Sequence, residues 1–452
     1  MRAHVPPRRT LLACLLALAA WSAVAAAAPA DRPAPRHRAH VCRVLHERLV
    51  HHPPRHPQRL RTRVARCRRA AHRAHLRRAA HRRQAARLRR LARARRERAR
   101  RRVAIAPSGS AHVTTTVHGT ARGWNGFGPG SWPGAGWRPY ADDSPFNRLV
   151  AGAPLHPASA RIVQRVLSWG EPGNLIAGSA DSDRDYAHPT YYSQPGDPLY
   201  TLHSTGYSPD VEGLRIPVPD AARPAGGDDA HMTIVTPDGW EYDLWQVRSK
   251  PAGGGTLTFS IGGRTRIDGD GLDSNATAAR YGNLAGVIRA QELAAGQIDH
   301  ALFVVVKCTS SGTSFGFGTQ PGPGDQSAFV YPASHGGSRC DAAESADAPP
   351  MGARFELAMS DAQIAALAVP AWKKAILRAL AHYGGYVGDT GGPGFALQFE
   401  SSTMYTSFGY ADPLVQIAQQ NGIAPWDGLY AFNLADGVDW ARYLRVVTPP
   451  AR

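Results

Sequence analysis

The chain has 452 residues, 43% of them hydrophobic, so a disordered chain is excluded over most of the length and two or three domains fit. Its net charge of +18 points first to a nucleic-acid partner. The charge is segregated, however: residues 36–102 hold 26 Arg against two Glu, whereas residues 103–452 hold 23 basic and 32 acidic side chains. A basic arm precedes an acidic body, and inference from the mean charge misleads.

In chain order, residues 1–30 read as a secretory signal peptide. Arg2, Arg8 and Arg9 precede the apolar run Leu11–Ala20, and Ala-x-Ala cleavage options follow at 26–30. The strongly apolar part is short of the ~20 residues that a membrane span needs. The expected product is secreted, extracellular or attached to the cell envelope, with no transmembrane span.

Cleavage leaves Cys42, Cys67, Cys308 and Cys340, an even number in an exported chain, which favours disulfides. Cys42, Leu45 and Leu49 share one helical face, as do Leu60, Val64 and Cys67, and Pro53, Pro54 and Pro57 break the helix between them. One antiparallel register pairs 49 with 60, 45 with 64 and 42 with 67. This predicts a short αα-hairpin stapled by Cys42–Cys67. The Ala/Arg sequence then continues to Arg102 without Pro or Gly, so residues 36–102 read as an Arg/His-rich helical arm. Its expected partners are acidic surfaces: anionic wall polymers, acidic lipid headgroups or extracellular nucleic acid. Sequence-specific nucleic-acid recognition is not expected, because the arm has no aromatic residue for stacking and no zinc-finger spacing.

Residues 103–123 form a Ser/Thr/Ala/Gly linker, and 124–452 a globular β-rich domain that opens on an aromatic strap (124–134). Strands are expected at 231–235 and 240–247 around the turn Thr236-Pro237-Asp238-Gly239. Others are expected at 256–261, 302–306, 329–331, 354–357 and 395–399. Helices are expected at 158–168, 360–367 and 370–383, the last with Pro370 at its start and Gly384 after it. Strands with occasional helices predict a mainly β (α+β) body, a β-sandwich or jelly roll with helical decoration. Cys308–Cys340 is the second expected disulfide.

Five segments resemble, in combination, a family of secreted bacterial proteins, mostly from actinobacteria and their neighbours, that carry no assigned activity. They are Ala230–Val235, Ala285–Arg289, Gly296–Leu302, Tyr331–His335 and Pro349–Phe355. The resemblance covers about 140–400 and implies a shared fold and export, but no reaction; the basic arm lies outside it.

For chemistry, the hairpin is the most informative piece. Pairing 235 with 241, 233 with 243 and 231 with 245 places His231, Glu241, Asp243 and Trp245 on one face. Two carboxylates, an imidazole and an indole suit the groove of a glycan enzyme: acid, base or nucleophile, and a ring to stack on a sugar. His300 at the start of a buried strand and His335 in a Pro-Ala-Ser-His loop complete the candidate catalytic set. Arg289 and Glu292 join Trp245 as candidate substrate-binding residues. The chain has no His-Glu-x-x-His, Walker loop or dinucleotide fingerprint, and no elbow-type Ser-His-Asp hydrolase is expected. Asp181–Asp185 and Asp268–Asp273 approach calcium loops, but neither is complete; Tyr192 stands where the first needs Glu. No cofactor or metal is expected, with calcium the one conceivable ion. The leading expectation is an exported glycan hydrolase or lyase acting on a polysaccharide or anionic wall polymer and held near the envelope by the arm. The alternative is a non-catalytic glycan-binding or structural envelope protein.

Overall fold

A computed structural model of the protein describes residues 123–272, 276–310 and 327–449. The expected signal segment, Cys42–Cys67 hairpin, arm and linker up to residue 122, and the Gly-rich stretch 311–326, lie outside the described residues. The described strands are β1 (Leu175–Ala177), β2 (Thr190–Tyr192), β3 (Leu199–Ser204), β4 (Arg215–Pro217), β5 (Met232–Val235), β6 (Trp240–Trp245) and β7 (Gly255–Phe259). They continue with β8 (Ile261–Arg266), β9 (Leu302–Val306), β10 (Arg354–Leu357), β11 (Gly385–Thr390), β12 (Ala396–Leu397), β13 (Tyr430–Phe432) and β14 (Leu444–Val447). The described helices are α1 (Ser159–Ser168), α2 (Ala290–Ala295), α3 (Ala342–Ser345) and α4 (Asp361–Ala366). The rest are α5 (Ala371–His382), α6 (Thr403–Thr406), α7 (Pro413–Gln420) and α8 (Trp440–Tyr443).

The strands form a five-stranded sheet β12-β9-β11-β10-β14, a four-stranded sheet β2-β5-β6-β8, a three-stranded sheet β4-β3-β7 and the pair β1-β13. The pairs β9–β11, β2–β5 and β3–β7 are parallel. The body is therefore mixed α/β, built on several small sheets with helices between them, and no barrel closes among the described strands. This pairing does not establish the expected sandwich or jelly roll, whose sheets are antiparallel.

Local sequence accounts for most elements. Leu302–Val306 is apolar on both faces and lies inside its sheet, between β11 and β12. At the bulge in β11, a Cβ on Gly388 would collide with the Phe303 ring, so glycine lets the two strands approach. Helix α4 starts on a reciprocal cap: Ser360 Oγ accepts from Gln363 N–H at 3.2 Å, and Gln363 Oε1 accepts from Ser360 N–H at 2.8 Å. Helix α5 buries Ala375, Ile376, Leu377, Ala379 and Leu380 on one side and packs on β10. At 329–331 the expected strand is reduced to a bridge between Phe329 and Met351, because Pro332 has no N–H to extend a ladder. Cys308 and Cys340 form a disulfide. The aromatic strap lies over the body: Trp124 Nε1 donates to Ser193 O at 3.0 Å, and Phe127 sits edge-on to Trp137 and Tyr192.

The hairpin β5–β6 has the expected register, Val235 opposite Glu241 and Thr233 opposite Asp243. It is also the middle of its sheet, flanked by β2 and β8. Segment 281–285 and Tyr140 cover the face expected to be open, so both faces are buried.

Candidate functional site

The two hairpin carboxylates are sealed: Glu241 is 0% exposed and Asp243 1%. Tyr140 Oη donates to Glu241 Oε2 at 2.6 Å and Leu284 N–H to Oε1 at 2.9 Å. Thr233 Oγ1 donates to Asp243 Oδ1 at 2.6 Å and Asn283 N–H to Oδ2 at 2.9 Å. A Cβ on Gly282 would strike the Tyr140 hydroxyl and come within 2.9 Å of Glu241 Oε2, so only glycine fits beneath the pair. Burial pushes the Asp243 carboxyl up to about 6; burial and the Asp243 charge push Glu241 well above the carboxylate range. Burial and the repulsion between the two carboxyls favour one proton held by the pair, mainly on Glu241.

His231 does not join them. It stacks on His188 with ring centroids 3.6 Å apart and planes at 19°. Burial lowers both, His231 to about 4, so both rings are neutral at pH 7. The Trp245 indole N–H donates to Asp229 Oδ1 at 3.1 Å. His335 is half-buried, its Nδ1 3.2 Å from Gly336 O, and no hydrogen bond joins it to the other candidates.

Arg289, Glu292 and His300 come together in a second group, apart from the hairpin residues they were expected to join. At the start of α2, Glu292 folds back so that its Oε2 accepts from Arg289 N–H at 2.9 Å. Its Oε1 accepts from Arg289 Nη2 and lies 3.0 Å from His300 Nε2. Arg289 also donates to Trp137 O at 2.6 Å, with its guanidinium over the Trp137 ring. Burial alone would raise the Glu292 carboxyl; Arg289 and His300 outweigh it and hold Glu292 at about 2. A third buried carboxyl, Glu400, accepts from Tyr405 Oη at 2.6 Å and Ala290 N–H at 2.9 Å, and burial carries it to about 7. Tyr192 feels the charges of Arg289, Glu400, Glu241 and Glu292, so the three groups form one buried polar layer.

Sequence reasoning missed Tyr140, His188, Tyr192, Glu400 and Tyr405. Tyr140 and Glu241 are 101 positions apart in the chain, and no local pattern joins them.

The layer meets solvent at a cleft of about 260 Å³ lined by Glu292, His300, Arg138, Asp299, Tyr383 and residues 135–137. This is below the ~300–1,000 Å³ of drug-sized pockets and suits one small polar unit. Arg138, Asp299 and Tyr383 are partly exposed at the rim. Both His300 nitrogens already have protein oxygens within hydrogen-bond distance, Glu292 Oε1 at 3.0 Å and Ala301 O at 2.8 Å. Glu292 is held ionised, and burial raises the Tyr383 phenol. The cleft thus offers hydrogen-bond donors and acceptors beside an aromatic side chain.

Among the described residues no group of three or more His, Cys, Asp or Glu is arranged to hold a metal ion. One match to the Gly-x-Ser-x-Gly pattern does occur, at Gly312-Thr313-Ser314-Phe315-Gly316, counter to the expectation that elbow chemistry has no foothold; it lies outside the described residues, and no role is drawn from it. No protein-family model matches the chain, and no curated protein or solved structure does so either.

Proposed function

We propose that the protein is an exported glycan-binding protein of the cell envelope that recognises one sugar unit in the Glu292–His300 cleft. The observation that carries this reading is the cleft itself: a solvent-reaching space of about 260 Å³ in which Glu292 is already paired with Arg289 and His300. Groups paired in this way bond hydroxyl groups without moving a proton. A hydrolase or lyase working through His231, Glu241 and Asp243 is weighed against by their burial, since a general acid or base must come within ~3 Å of the proton it moves. In this reading the signal segment exports the chain and the Arg-rich arm 36–102 holds it on anionic wall polymer or lipid headgroups, an attachment that weakens steeply with salt. Among the described residues no helix is long and apolar enough to cross a membrane.

The test is affinity electrophoresis of the full-length protein through neutral and uronic-acid polysaccharides at high salt, with products read by reducing ends and by the ultraviolet absorbance of unsaturated sugars. Retardation without products is expected, weakened in Arg138→Ala/Tyr383→Phe. Products made by the wild type and lost in Glu241→Gln would restore the enzyme reading. Neither retardation nor products would remove both.

A further inference from the structure

Two large aromatic side chains stand out from the surface on rigid backbone. Trp426 is 74% exposed and Tyr186 54% exposed. Trp426 begins a two-residue hairpin turn in which Trp426 N–H donates to Leu429 O at 2.8 Å and Leu429 N–H to Trp426 O at 2.9 Å. The central residues, Asp427 and Gly428, have φ of 51° and 80°. Asp-Gly is the pair that such a left-handed turn favours, so the tip is preorganised. Tyr186 is held from behind. Its neighbour Asp185 is buried and accepts from Ser401 Oγ at 2.6 Å and Thr403 Oγ1 at 2.7 Å. The Tyr186 ring lies against Gly227, where a Cβ would come within 3.1 Å of its Cδ1 and Cε1. The other side of the ring is left to water.

An ion pair joins the two: Arg184 Nη2 to Asp427 Oδ2 at 2.7 Å, with Arg184 two residues before Tyr186 and Asp427 next to Trp426. We propose that this surface is a second carbohydrate contact, a platform for a neutral polysaccharide chain. The Trp426 and Tyr186 rings take the C–H faces of sugar rings, and Arg184 and Asp427 bond the hydroxyls between them. Three observations favour this occupant. The aromatics are separated by charged groups, unlike the contiguous apolar patch that a protein interface or membrane prefers. Arg184 is paired with Asp427, and Arg223 with Asp181 at 2.8 Å, while Asp183 adds an exposed negative charge, so these two cations are already matched by carboxylates rather than open to a polyanion. Both rings sit on anchored backbone, so little ordering entropy is lost on stacking.

The inference rests on the glycan-binding reading but names a different surface, and one experiment separates them. Full-length wild type, Trp426→Ala/Tyr186→Ala and the cleft variant Arg138→Ala/Tyr383→Phe are run at high salt through gels containing soluble β-glucan, galactomannan, starch or polygalacturonate. Retardation by at least one neutral glycan is expected for the wild type, weakened about tenfold in the platform variant, with Tm unchanged within about 2 °C. A platform variant retarded like the wild type overturns the platform and leaves the glycan reading standing. A wild type that no neutral glycan retards overturns the platform, and polygalacturonate retarding it through Trp426 and Tyr186 overturns the neutral assignment. Loss confined to the cleft variant places recognition in the cleft alone and also overturns the platform.

Discussion

Two buried carboxylate sites in one polar layer behave in opposite ways. Glu292 and Glu241 are the same residue type, both fully buried, each with hydrogen-bond donors at both oxygens. Glu292 is driven down to about 2; Glu241 is driven far up and shares a proton with Asp243. Burial acts on both in the same direction, so it is not the cause of the difference. The difference is a guanidinium. Arg289 donates to Glu292 from three residues away along the chain, whereas the charge that bears most on Glu241 is that of another carboxyl, Asp243. Tyr140 Oη and a backbone N–H satisfy Glu241 without neutralising it. In a water-poor interior, hydrogen bonds keep a carboxyl in place, and a paired cation decides whether it keeps its charge.

The comparison breaks first at Arg289. Arg289→Met leaves Glu292 buried with its main countercharge gone, and should cost about 3–5 kcal/mol in denaturant unfolding. A cost below about 1 kcal/mol would mean that His300 alone compensates the charge.

Tyr140→Phe tests the other site. It removes one donor from Glu241 Oε2 and keeps the ring, so about 1–3 kcal/mol should be lost. No loss would show that the proton shared with Asp243 had already satisfied that oxygen.

The pH dependence sharpens the contrast, because the two sites carry opposite signs. A folded value near 2 makes the Glu292 contribution present above its unfolded value and lost as pH falls from about 4.5 toward 2. Asp243, raised to about 6, contributes stability below its unfolded value that is lost as pH rises through about 6. Glu400, raised to about 7, has the same sign. His231, lowered to about 4, opposes them, losing its contribution as pH falls from about 6.5 toward 4. The measurement is therefore the difference between variant and wild type. From pH 4 to pH 7 the wild type should lose stability relative to Asp243→Asn, by on the order of 1–2 kcal/mol. Parallel curves would mean that the pair does not hold its extra proton.

The smallest effect is expected at the rim of the cleft. The Arg138–Asp142 pair is partly exposed, so Arg138→Ala should cost at most about 1 kcal/mol while weakening retention on glycan. A larger loss of stability would make the rim part of the core.

Much of the frame was legible. The hairpin register followed from a period of two and a turn with Gly239 in the left-handed conformation (φ 82°). Helix α5 followed from its Pro and Gly boundaries, and β9 from an apolar run. Arg289, Glu292 and His300 lie within 12 positions of one another, and they form a cluster. The polar face of the hairpin was misleading. Alternating polar residues mark a solvated or groove-lining face only when nothing covers it, and here residues near 140 and 283 do so.

By itself, the sequence determined what is written in local periods and in composition: the separation of a basic stretch from an acidic remainder, the strand pairing of one hairpin, the ends of the longer helices and the four cysteines that follow position 30. These depend on neighbours a few positions apart, whose geometry repeats with each element. Tertiary structure decided which face of that hairpin met water, that Glu241 and Asp243 are sealed while Glu292 and His300 reach a cleft, and that Tyr186 and Trp426 flank one ion pair across 240 positions. The reason is physical: burial and countercharge are set by whatever the folded chain brings within a few ångströms, and residues far apart in sequence supply it.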